Sequence, residues 1–431
     1  PDGSTADCPT VVSVVIWRLS LDRSISRYLY SPAMTRRYAS AGAVVATDDL
    51  RSPQVLLLDQ VRKTGERQTV APKGRLEPGE APLLAAKREV AEETGLTDTY
   101  YSGYLGQEAY TFTDNDGTPA AKIVDWFLFT TSTTATTPAR DEGFVQARWL
   151  EASAARQAAS HSQFQQVLDR ALAVITWRGA HPLPFSRKLS CLVKQVAAEA
   201  AAVIAGHPDA GVGLCGSAAR GDFIEGWSDV DFVAWNLPPT SAAATSLHEI
   251  VSEAARRHGA RASLHLADSH GGDAHRLGPL YDMKMRMVLR RVGLDTAVIA
   301  GAAAPTPAAA SELGDLAGDV AMLHEFAVAR LAASHHTESE REDTARRVLS
   351  VLSSAGRLLV AHRAPQVGLR LPEVVEALRD WPDSELRSLL GDYDAYRRAG
   401  ADDVAQAELL AARVPGALVA VRSMLEESAS L

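Results

Sequence analysis

The sequence predicts an α+β chain built as three successive units: a mixed-sheet domain, a second mixed-sheet domain and a helical bundle. Three observations predict it. At 431 residues the chain is too long for one ordinary core, so two or three domains are expected. Strand-like alternation and helical spacing interchange up to about residue 310. From Ser311 onward the spacing is helical throughout, in alanine-, leucine- and arginine-rich segments such as TARRVLSVLSSAGRLLVAHR and LPEVVEALRDWPDSELRSLL.

Composition narrows the function classes. With 46% hydrophobic and 23% charged residues, the chain reads as globular and soluble. A net charge of -9 and a pI near 5.8 argue against a protein that coats nucleic acid. Nucleotides remain possible substrates, because metal ions can neutralise their phosphates. Cys8, Cys191 and Cys215 are odd in number, widely spaced and without metal-type pairing, which fits a reduced cytoplasm. Oligomeric state is not readable.

Taken in order, the run Val11 to Trp17 is too short to span a bilayer and follows no basic segment, so neither a signal peptide nor a membrane anchor is expected. Residues 1–36 are expected to form an N-terminal extension, with Met34 just before the first strand. AGAVVAT and QVLLLDQV read as two strands joined by the polar turn Asp48 to Ser52.

The stretch GRLEPGEAPLLAAKREVAEETGL, Gly74 to Leu96, organises the first half. Pro82 suits the first turn of a helix and Gly95 its left-handed end, while Leu83, Ala86, Val90 and Thr94 fall on one side. Glu89, Glu92 and Glu93 share another side at i, i+3 and i+4, an arc of about 100°. Like charges at these spacings cost roughly 0.2–0.5 kcal/mol per pair, so three invite a compensating cation, and dense carboxylate oxygens suit Mg²⁺. A bare E-x-x-E-E alone reads more readily as a solvated acidic face; the full pattern around it reverses that.

At every defining position, Gly74, Glu80, Arg88, Glu89, Glu92, Glu93 and Gly95, this stretch resembles the Nudix box. The resemblance implies an α/β/α sandwich over residues 37–178 and phosphoanhydride hydrolysis with Mg²⁺, or Mn²⁺, held by Glu89, Glu92 and Glu93. Arg88 and Glu80 brace the loop in this reading. Pro72, Lys73 and Gly74 resemble the PKG opening of Nudix enzymes acting on dinucleoside polyphosphates, although Lys73 reads equally as a solvated loop residue.

After the box, YYSGYLGQEAYTF and AKIVDWFLFTT alternate like antiparallel strands. DEGFVQARWLEASAA resembles the end of a Nudix domain, where Glu142 is a candidate metal ligand or base and equally a surface acid. A helix from Ser160 to about Ile175 closes the domain, and GAHPLPFS, Gly179 to Ser186, reads as a linker between separately folding units.

The helical pattern Arg187 to Ile204 leads into GVGLCGSAARGDFIEGWSDVDFVAW. A short buried strand reaches Gly216 and Ser217, where small residues let phosphate oxygens approach backbone N–H groups. Asp229 and Asp231, two apart on the next strand, share a face. This resembles the nucleotidyltransferases of the DNA polymerase beta superfamily, particularly the aminoglycoside-modifying branch. The resemblance implies a nucleotidyltransferase domain over 179–310, with Gly216 and Ser217 as the phosphate-binding turn and Asp229 and Asp231 as the Mg²⁺ pair. Cys215 reads as a packed strand residue.

Residues Ala242 to His258 read as a helix and RASLHLAD as a third strand, where His265 takes the place of the family's third carboxylate. Candidate bases are His265, Asp268 and, on the bundle helix with His324, Glu325. AVIAGAAAPTPAAA resembles the closing strand and Pro/Ala-rich link, and residues 311–431 would form the bundle covering the cleft. The sequence is thus consistent with a cytoplasmic bifunctional enzyme acting on nucleotides and a small-molecule acceptor. Two rivals remain: a hydrolase with a degenerate, ligand-binding transferase domain, and a transferase with a nucleotide-sensing Nudix domain.

Overall fold

The computed structural model describes residues 36–429 apart from 115, 182, 269–271, 303–315, 382–383 and 401. The N-terminal extension, with Cys8 and Met34, lies outside the described residues except for Arg36, as does the Pro/Ala-rich link from 303.

The first sheet contains β1 (Arg36–Thr47), β2 (Gln54–Val61), β3 (Arg67–Val70), β4 (Lys73–Arg75), β5 (Tyr100–Thr113), β6 (Pro119–Thr131) and β7 (Phe144–Glu151). Its order is β3-β2-β1-β6-β5, with β4 also beside β1 and β7 beside β2. β1 runs parallel to β6 in the middle of the sheet, while β5 and β6 are antiparallel. Both faces of β1 are covered, which explains its unbroken apolar run. Ala41, Ala43 and Val45 join one cluster, Val44 and Ala46 the other.

Helix α1 (Pro82–Thr94) lies on the first face; α2 (Ala152–Ala158) and α3 (Ser162–Ala180) lie on the second, completing an α/β/α sandwich. α1 starts on Pro82 and stops at Gly95, whose φ of 76° is the left-handed conformation glycine adopts readily.

The second unit opens with α4 (Arg187–Ile204), capped by the Ser186 hydroxyl, which accepts from Leu189 N–H. Then come β8 (Gly211–Cys215), α5 (Gly216–Arg220), β9 (Val230–Trp235), α6 (Ala242–His258), β10 (Ala262–Ala267), α7 (Pro279–Arg290) and β11 (Ala297–Gly301). The order β10-β9-β8-β11 is mixed, β10 alone running parallel to its neighbour.

The bundle consists of α8 (Leu316–Ala332), α9 (Glu338–Arg363), α10 (Leu371–Ala377), α11 (Ser384–Arg398) and α12 (Val404–Ala429). By length and composition α12 could cross a membrane, yet its Ala407, Ala411, Val414, Leu418 and Val421 are packed into the bundle core.

The two sheet units do not meet as separate bodies. One hydrophobic cluster runs from Ala43, Leu83, Val90 and Tyr101 of the first into Leu189, Val193, Val196 and Leu214 of the second. Tyr101 N–H donates to Ser190 Oγ at 2.7 Å, its hydroxyl to Ala218 O at 2.9 Å, and Gln107 N–H to Gly293 O at 2.6 Å. The two units are thus joined by a shared apolar interface as well as by the linker. Part of the apolar face of α4 is spent on α1 and β5.

All three units converge on Asp222, which is completely buried. Arg220 Nε, Arg397 Nη1 and Arg357 Nη2 lie 3.3, 3.2 and 3.8 Å from its carboxylate. Arg178 of α3 donates to the flanking carbonyls of Gly221 and Phe223 at 3.0 and 2.8 Å. Burial alone would raise the Asp222 carboxyl, but the arginines hold it down at about 2.

Candidate functional site

The turn between β4 and α1 is built around Arg88. Its Nε and Nη2 donate to the two oxygens of Glu80, each at 2.9 Å, and Nη2 also reaches Arg75 O at 3.0 Å. Glu80 Oε2 in turn accepts from Glu77 N–H at 2.9 Å. Such a planar two-point pair fixes orientation as well as distance. The same guanidinium donates through Nη1 to Glu89 at 2.7 Å and Glu92 at 2.9 Å.

Glu89 and Glu93 are buried, at 8% and 4% exposure, and the Glu92 side chain is about half exposed, at 53%. The Glu89 carboxyl occupies the space over Gly74: a Cβ there would lie 2.0–2.1 Å from its atoms. Lys73 N–H donates to Glu93 Oε2 at 3.1 Å. Burial raises the Glu89 carboxyl, with Glu92 and Glu142 adding to the effect against Arg88. Burial also pushes Glu93 up to about 8, opposed by the Lys73 N–H and reinforced by Glu89 and Glu142. Glu142 lies on an exposed 3₁₀ turn, Arg140–Glu142, within electrostatic reach of both.

These carboxylates fit a hard divalent cation in chemistry. They offer only oxygen, two are buried where the anion is disfavoured until a cation offsets its charge, and one is open to solvent. Among the described residues no three acidic, His or Cys side chains already enclose a point, since Arg88 bonds to Glu89 and Glu92.

In the second unit, β8 ends at the turn that starts α5, and Gly216 has a φ of 69°. A Cβ there would lie 2.7 Å from Asp231 Oδ2, so the glycine turn and the β9 carboxylate are in contact. Ser217 follows in the first turn of α5. Asp229 precedes β9, is more than half exposed, and pairs with Arg261 Nε at 2.7 Å. Ser263, the register partner of Asp231, donates to its Oδ1 at 2.9 Å and lies 3.1 Å from His265 Nε2. Burial raises Asp231 against the pull of His265 and Ser263, and lowers His265.

The structure thus brings Gly216, Asp231 and His265 together with Asp229 at the rim. Asp268 accepts from Gly272 N–H at 2.8 Å within its own loop, and Glu325 is exposed on α8. Cys215 is packed in β8, its thiol donating to Asp231 O at 3.4 Å. Sequence reasoning missed Ser263, Arg261 and Lys284 of α7, the last within electrostatic reach of both aspartates. The parallel register of β9 and β10 is what brings Ser263 opposite Asp231; the local pattern carries no sign of it.

The model of the NUDIX domain family matches residues 36–171. Among solved structures, a C. elegans Ap4A hydrolase is 23% identical over 32% of this chain and 96% of its own, with a TM-score of 0.26. A NUDIX hydrolase from Nitrosomonas europaea is 24% identical over 32% and 90%, with a TM-score of 0.25. The NUDIX domain of Shewanella oneidensis NrtR, complexed with ADP ribose, is 19% identical over 34% and 97%, with a TM-score of 0.27. No curated protein matches the sequence. Residues 36–171 are a NUDIX domain, of a family characteristically dependent on Mg²⁺ and active on phosphoanhydrides of nucleotide derivatives.

Proposed function

We propose that the chain is a Mg²⁺-dependent pyrophosphohydrolase of nucleoside diphosphate derivatives, and that its second unit transfers a nucleotidyl group from a nucleoside triphosphate to a small-molecule hydroxyl. The observation that carries the hydrolase reading is the burial of Glu89 and Glu93, both disfavoured as anions, beside a glycine that leaves room for the first. Glu89, Glu92 and Glu93 would hold the metal, which when bound supplies a Lewis acid and an activated water. Arg88 and Glu80 keep the turn rigid around them, and Glu142 stands where a proton can be passed to solvent. Incubation with nucleoside triphosphates, dinucleoside polyphosphates and ADP-ribose, with products resolved by mass, should show phosphoanhydride cleavage by the wild type. Cleavage at the wild-type rate by the Glu92→Gln, Glu93→Gln double variant would remove the reading.

The transfer reading rests on the contact between Gly216 and Asp231. Gly216 and Ser217 would receive the phosphates, Asp229 and Asp231 the metal, and His265 the acceptor proton. A ligand-binding role without transfer is favoured by two observations: Asp229 is already paired with Arg261, and His265 supplies no third carboxylate. Labelling of candidate acceptors from a nucleoside triphosphate by wild type, lost in Asp231→Asn, supports transfer. Labelling by neither protein supports the binding role.

A further inference from the structure

The imidazole of His265 has two nitrogens, and its surroundings leave only one of them free to take a proton. Ser263 and His265 stand two residues apart on β10, and Ser263 is in register with Asp231 on β9, so all three side chains leave one face of the sheet. Ser263 Oγ donates to Asp231 Oδ1 at 2.9 Å and lies 3.1 Å from His265 Nε2. A hydroxyl has one proton to give. With that proton committed to the carboxylate, Ser263 can only accept from the imidazole, and so Nε2 carries the hydrogen. In the neutral ring the other nitrogen, Nδ1, is then a bare acceptor. Among the described residues Nδ1 has no hydrogen bond. Burial holds the imidazole below its usual range, which keeps the ring neutral at about pH 7.

The chain after β10 turns back along it. Ala267 bridges Asp273 in antiparallel sense, and Ala274 N–H donates to Leu266 O at 2.8 Å, which sets His275 beside His265. Asp273 is 1% exposed, and its Oδ1 accepts from His275 N–H at 2.8 Å. Its Oδ2, also shielded from solvent, has no hydrogen-bond partner among the described residues. Asp231 and Asp273 are both within electrostatic reach of His265 and favour a positive ring, while Lys284 and His275 oppose it. Tyr281 of α7 stands against the imidazole, with ring centres 5.9 Å apart.

We infer that Ser263 is a positioning residue for His265: it fixes the Nε2–H tautomer, so that Nδ1 is the atom that takes the proton of an acceptor hydroxyl. The use of that atom rests on the transfer reading; the tautomer itself does not. In the step so assigned, the hydroxyl oxygen bonds to the α-phosphorus, the bond from that phosphorus to the pyrophosphate oxygen breaks, and the hydroxyl proton passes to Nδ1. The imidazolium that results keeps its Nε2–H on Ser263, and Asp231 and Asp273 offset its charge.

The test labels the histidine ring nitrogens isotopically and reads their protonation by nuclear magnetic resonance, on the full chain in EDTA at about pH 8, with His265→Gln to identify the signals. Wild type should show a protonated Nε2 and a bare Nδ1. Ser263→Ala should lose that preference, and Ser263→Thr, which keeps the hydroxyl, should retain it. In acceptor labelling from a nucleoside triphosphate, Ser263→Ala should lower kcat at least about tenfold with the acceptor KM within about threefold, and Ser263→Thr should stay within about threefold of wild type. A protonated Nδ1 in wild type overturns the inference. A wild-type tautomer in Ser263→Ala overturns it too, and leaves Ser263 serving Asp231 alone. The expected tautomers in a protein that labels no acceptor uphold the positioning and remove the transfer reading instead.

Discussion

Glu93 is the acid of the box whose chemistry is most changed by its surroundings. Its folded pKa of about 8 stands above the ordinary 4.5, so the fold binds a proton there that the unfolded chain gives up sooner. The stability contributed is fully present below pH 4.5 and is lost as pH rises through about 8. In EDTA the melting temperature should therefore fall between those limits, and Glu93→Gln should flatten the fall. Adding Mg²⁺ should restore stability at the alkaline end and release a proton, measurable as a buffer-dependent heat. A melting curve of Glu93→Gln that keeps the wild-type pH dependence would show that another group is responsible.

Among elements, α1 was the most legible, because Pro82 and Gly95 mark its ends and the acids and apolar residues separate by helical angle. β2, α4 and α6 followed from equally local signals at their observed bounds, and β1 did too except that it starts five residues earlier than AGAVVAT. β3 and β4 were not legible: at four and three residues they owe their extended form to pairing with β2 and β1. α7 was missed for a different reason. Its buried Met283 and Met285 are two apart, a strand-like interval, so Lys284 went unplaced. In the box, spacing picked out the acids, but the fit of Glu89 over Gly74 belongs to the packing of α1 on β4. Gly74→Ala should displace Glu89 and lower kcat by about tenfold or more, with a melting temperature reduced by a few degrees. Full activity in that variant would mean Glu89 is free to move without consequence.

At the scale of the whole molecule, the arginines around Asp222 tie α5, α9 and α11 to one carboxylate and α3 to the carbonyls beside it. Replacing it by Asn leaves buried guanidinium groups without their counter-charge, a loss on the order of 3–5 kcal/mol. Asp222→Asn should therefore lower the urea midpoint for all three units together, read by far-UV circular dichroism and by tryptophan fluorescence; a midpoint within error of wild type would place the stability of the junction elsewhere. None of this was legible, because the partners of Asp222 lie up to 175 residues away in sequence. The apolar cluster that runs from α1 into α4 has a consequence for synthesis. On the ribosome the NUDIX domain is complete in sequence by residue 171, while the last strand whose residues share that cluster, β11, ends at Gly301. At about 5–20 residues per second, roughly ten seconds pass in which Leu83, Val90 and Tyr101 await the surface that will cover them. During that interval the nascent chain exposes apolar surface, and a pause in translation before residue 301 would lengthen that exposure.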